Sequence, residues 1–94
     1  MNEQPISEFE KAIQATHGCR SSFHHRVEVR EEWEHRTVWE GDVLVFDLID
    51  HPTALTCYAW SVDNEVTAVL SLWPVDSPEK AVRASFIEGF RSRD

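Results

Sequence analysis

The sequence predicts an α+β fold in two layers: a four-stranded antiparallel meander sheet with an N-terminal and a C-terminal helix. Three observations carry that prediction. Apolar residues at helical spacing occur near the two ends of the chain. Between them lie runs of β-branched and aromatic residues, which suit a pleated, half-buried surface. Short polar turns separate those runs, as antiparallel neighbours require. The 94 residues are long enough for one core and not for two, so residues 1–94 read as a single domain.

The first helix is expected to open at Ser7, with Glu10 completing a capping box in S-E-F-E. Phe9, Ala12, Ile13 and Thr16 follow at i, i+3, i+4 and i+7. Gly18 ends the helix at the position that tolerates a left-handed backbone. So short a helix is marginal alone, so Phe9 and Ile13 must dock on a sheet.

Residues 22–33 alternate. Phe23, His25, Val27, Val29 and Trp33 share one face, interrupted by Glu31, while His24, Arg26, Glu28, Arg30 and Glu32 share the other. Glu34 and His35 make a polar turn into TVWEGDVLVFDL, residues 37–48, the central strand. Leu44, Phe46 and Leu48 lie on one of its faces and Val43 and Val45 on the other, so both faces are apolar. Gly41 is the expected site of a bulge, which leaves open whether Val38 or Trp39 faces the core.

Asp50 to Thr53 is a turn around Pro52, with the Asp50 carboxylate expected to satisfy backbone N–H groups. Residues 55–62 and 65–73 form a hairpin around Asp63 and Asn64. Its register pairs Leu55 with Leu72, Cys57 with Leu70, Ala59 with Ala68 and Ser61 with Val66 on one face. On the other face Tyr58 meets Val69 and Trp60 meets Thr67. Ser77 then caps the last helix, with Pro78 at its first position. Val82, Phe86 and Phe90 form its apolar stripe. The predicted core is Phe9, Ile13, Leu44, Phe46, Leu55, Cys57, Ala59, Leu70, Leu72, Val82, Phe86 and Phe90. The order of elements resembles, in outline, a double-stranded-RNA-binding domain, which has three strands between its helices. A fourth strand and the lack of a lysine-rich motif at the last helix argue against a functional match.

Nine Lys and Arg oppose seventeen Asp and Glu, for a formal net charge of −8. Binding to nucleic acid or anionic lipid depends on neutralising negative charge, so neither is an expected partner. No apolar run is long enough to span a bilayer. The opening residues MNEQPISEFE lack the basic start and apolar middle of a signal peptide, and a cytoplasmic location is expected.

No cofactor, metal site or catalytic residue is predicted. His17 and Cys19 lie near each other, but no ligand spacing typical of zinc appears. His24 and His25, adjacent on a strand, should point to opposite faces. Cys57 has neither a base nor a positive charge beside it in sequence, and burial should raise its pKa. Asp47, Asp50 and His51 are a possible polar cluster at the end of the central strand.

The feature that speaks to function is the second sheet face. If both helices cover the face of Leu44 and Ala59, then Trp39, Val43, Val45, Tyr58, Trp60 and Val69 form an uncovered binding face. The first reading is a non-enzymatic binding or assembly module that forms a homodimer, or takes a protein partner, through that face. The second is a small ligand-binding protein or enzyme with an aromatic-lined pocket and Asp47, Asp50, His51 or His25 as polar groups. The third is an acidic mimic of nucleic acid that inhibits a nucleic-acid-binding partner. A flat patch favours the first, and a concave site with converging polar groups favours the second.

Overall fold

A computed structural model describes residues 5–62, 64–72 and 75–91, with the side chains of residues 33, 38 and 87–91 outside that description. The expectations for Asp63, Trp73 and the side chains of Trp33, Val38 and Phe90 therefore lie outside the described residues. The elements are α1 (Ile6–His17), β1 (Ser21–Trp33), β2 (Arg36–Leu48), β3 (Thr56–Val62), β4 (Glu65–Leu70) and α2 (Pro78–Arg91). The four strands form an antiparallel sheet in the order β1-β2-β3-β4, the predicted meander.

The helix α1 begins two residues earlier than its capping box implied, with the N-cap at residue 5 and not 7. Pro5, with φ −66° and ψ 154°, is the N-cap and offers no side-chain bond; its carbonyl instead accepts the Glu8 N–H at 2.9 Å. The fixed φ of proline pre-sets the entry to the helix and takes the role expected of Ser7. Gly18 closes the helix in the left-handed region at φ 70°, with its N–H donating to Gln14 at 2.8 Å. Phe9 and Ile13 are fully buried against Leu44, Phe46, Cys57 and Ala59. Each such side chain contributes about 1.5–3 kcal/mol of transfer free energy, which holds a helix that would not persist alone. His17, at the end of α1, donates from Nε2 to the carbonyl of Ala68 at 3.0 Å. Ala68 sits opposite Ala59 in a non-hydrogen-bonded pair, so its carbonyl faces the open edge of the sheet. The helix thus answers one of the unpaired edge groups that would otherwise invite a further strand.

The expectation that both helices share one face is not met. Ala81 and Val82 of α2 are buried against Val29, Val43, Val45, Tyr58 and Trp60, on the face opposite α1. The sheet is therefore covered on both sides, one helix to each. With Leu44 and Phe46 of β2 facing one way and Val43 and Val45 the other, both faces call for cover, and α1 and α2 each supply it on one. Ser77 caps α2 as expected, its Oγ accepting the Lys80 N–H at 3.2 Å.

The bulges also lie elsewhere than at Gly41. The β1–β2 register slips between Phe23 and His25 and again between Glu31 and Glu32, so the extra residues are His24 on β1 and residue 38 on β2. Gly41 pairs regularly with Val29. A Cβ at Gly41 would lie 2.9 Å from Cζ2 of Trp39, so the glycine makes room for the indole that folds across it. Trp39 thereby joins the α2 face and packs on Trp60, with ring centroids 6.1 Å apart and planes tilted by 54°.

The second hairpin has the predicted register from Cys57–Leu70 to Ser61–Val66. Of the predicted core, Phe9, Ile13, Leu44, Phe46, Cys57, Ala59 and Val82 are buried, and Leu70 and Phe86 are half-buried. Leu55 and Leu72 are exposed, at 78% and 42%. They follow the core face in phase but lie past the strand ends, beyond the residues that pack with α1.

Candidate functional site

The bulge at His24 decides what the α2 face offers. Without it, Phe23, His25 and Val27 would share one side of β1. With it, Phe23 stays on the α1 side, edge-on to Phe46 at 5.7 Å, while His25, Val27, Val29 and Glu31 turn to the α2 side. The extra residue also brings His24 beside His25, with ring centroids 4.7 Å apart and the two Nδ1 atoms in hydrogen-bond contact. One ring must carry its proton on Nδ1 and the other accept there. The expectation that these two histidines point to opposite faces fails because the strand is not regular where they sit.

Beside them, the ladder supplies the rest of a cleft. His25 pairs with Val45, Val45 with Tyr58, and Asp47 with Thr56, all on the α2 side. Val27 and the first residue of α2, Pro78, complete the lining, which encloses about 320 Å³. Val45 and Tyr58 are buried and form the floor, while His24, His25 and Asp47 remain accessible at the mouth. Burial raises the pKa of Tyr58 from 10.0, with smaller upward pushes from Asp76 and Glu79. A second depression, on the outward side of α1, is lined among the described residues by Ser7, Glu10, Lys11, Gln14 and Ala15, all of one helix.

The predicted binding face divides in two. Val43 and Trp60 are wholly buried and Val45 and Tyr58 nearly so, while Trp39 and Val69 are half-buried against them. What covers this face is α2 of the same chain. The cleft lies where that cover stops, at the start of α2. Trp60 Nε1 is buried with no hydrogen-bond partner among the described residues, as is Ser21 Oγ.

The other sequence candidates are structural. Asp50 accepts from Arg20 Nε at 2.9 Å, and His51 Nδ1 accepts the N–H groups of Ala54 at 2.9 Å and Thr53 at 3.2 Å. The imidazole thus does what the Asp50 carboxylate was expected to do, and only Asp47 of that trio reaches the cleft. Cys19 and Cys57 are free thiols buried in the α1 core. Burial, with a smaller push from Cys19, raises the Cys57 pKa to about 12. Among the described residues no three His, Cys, Asp or Glu side chains are grouped to hold a metal ion, and no helix is long and apolar enough to cross a membrane.

Glu31, which broke the alternation in the sequence, is buried on the α2 side, and its carboxylate accepts from Arg83 Nε at 3.1 Å. Two features were out of reach of sequence reading: the His24 bulge, which has no glycine to mark it, and the Glu31–Arg83 pair, which spans 52 residues.

No family model matches this chain, and neither the curated proteins nor the solved structures give a match to it.

Proposed function

We propose that this protein is a small-ligand-binding domain whose binding site is the cleft beside the β1 bulge. One observation carries the reading above the others: the extra residue at His24 places two imidazoles at the same opening as Asp47, Thr56 and Tyr58. A bulge disrupts the ladder and re-aims side chains, and bulges recur beside binding sites for that reason. Polar groups converging over an apolar floor are the usual composition of a small-molecule site, and the volume suits a ligand of about one ring.

Self-association through the second sheet face has less support, because α2 would have to leave Val43 and Trp60 before a partner could reach them. Catalysis also has less support, since both thiols lie in the opposite core. The acidic charge balance speaks against nucleic acid as the ligand.

The test is a two-dimensional NMR screen of the labelled chain against small polar and aromatic fragments. The reading expects amide shifts to cluster at residues 24–27, 45–47 and 56–58. Fragments that cluster elsewhere, or none that perturb these residues, would overturn it.

A further inference from the structure

We propose, resting on the reading of the cleft as a ligand site, that its ligand is a small organic cation: a protonated amine on an apolar body. The lining contains a carboxylate, Asp47, and, among the described residues, no Lys or Arg. The described cations of α2 are already engaged, Lys80 with Asp76 at 3.0 Å and Arg83 with Glu31 at 3.1 Å, and Arg26 of β1 lies 3.9 Å from Asp42. A carboxylate at the mouth of a site attracts a cation and repels an anion, more strongly where the floor is apolar.

The start of α2 would ordinarily draw an anion. Here it is answered from within the chain. Ser77 Oγ takes the Lys80 N–H, Glu79 lies in the first turn, and Asp76 precedes the cap. Burial raises the Tyr58 pKa most, and Glu79 and Asp76, the latter paired with Lys80, push it the same way, so this end of the helix does not favour an anion. Val27, Val45 and the Tyr58 ring offer contact for an apolar body, and a tyrosine face also attracts an ammonium group. The His24–His25 contact occupies both Nδ1 atoms and leaves the two Nε2 atoms for other partners.

The experiment is an NMR titration of the full chain with benzylamine, benzyl alcohol and benzoate, three probes of one ring that differ in charge. Benzylamine should shift residues 24–27, 45–47 and 56–58 saturably and bind about tenfold more tightly than benzyl alcohol. Benzoate should bind more weakly still. Asp47→Asn, at an accessible position, should reduce the affinity for benzylamine about tenfold and that for benzyl alcohol much less. If benzyl alcohol or benzoate binds in the cleft as tightly as benzylamine, or Asp47→Asn leaves benzylamine unaffected, the charge assignment fails while the cleft stands as a ligand site. If none of the three perturbs these residues, both the assignment and the site fail.

Discussion

Glu31 on β1 and Arg83 on α2 meet at 3.1 Å, with the carboxylate 93% buried in its side chain and the guanidinium largely open to water. Glu31 is the only charged residue among the buried ones described. Its burial is tolerable because Arg83 supplies the opposing charge and a hydrogen bond. The pair also links α2 to β1.

Arg83→Ala leaves that carboxylate without its partner and should cost about 1–3 kcal/mol, as removal of one side of a buried hydrogen bond does. Glu31→Gln, which keeps an acceptor for Arg83, should cost less. Urea unfolding of the two variants checks the order; equal and negligible losses would mean that the pair does not hold α2.

Gly41→Ala tests why the glycine is there. The added Cβ would stand 2.9 Å from the Trp39 ring, which is held in turn by Trp60. The indole must shift, at about 1–3 kcal/mol for an overpacked site. Double replacement Gly41→Ala with Trp39→Leu should recover part of that loss, because the clashing ring is gone. A single substitution without effect on stability or tryptophan fluorescence would contradict the contact.

Cys57 predicts a pH dependence. Its pKa is about 12 in the fold against 9.0 unperturbed, chiefly because burial disfavours the thiolate. The unfolded chain therefore releases this proton first. The contribution to stability is complete below about pH 9 and is lost as pH rises toward 12. Between about pH 8.5 and 10.5 this amounts to about 2 kcal/mol. Wild type should lose that much more than Cys57→Ala over the interval, measured by urea unfolding. Parallel curves for the two proteins would place the thiol in water.

Much of the fold is legible in the sequence because local rules suffice for it. Gly18 stops α1, Ser77 and Pro78 start α2, and the turn at Asn64, with φ 68°, sets the register of the second hairpin. Glu34 and His35 adopt φ 53° and 67° and make the first hairpin turn where the polar pair stands. The layering was not legible, because an apolar stripe says that a helix docks and not on which face. The candidate site was legible in part: Asp47, His25 and the Tyr58 floor follow from alternation, but their convergence with His24 depends on a bulge that leaves no mark in residue type. Leu55 shows the opposite error, since its phase is that of the core while it lies outside the strand.

The account turns on α2 covering the second sheet face within one chain, and Trp60→Glu tests that most directly. Trp60 is wholly buried between the sheet and α2, in contact with Trp39. A carboxylate there would be buried with no partner, at several kcal/mol, a large part of the stability of a domain this small. Far-UV circular dichroism with sedimentation equilibrium gives the answer in one pair of data. The account predicts loss of cooperative folding in the variant. A folded variant at half the wild-type mass would contradict it, and would place Trp60 at an interface between two chains.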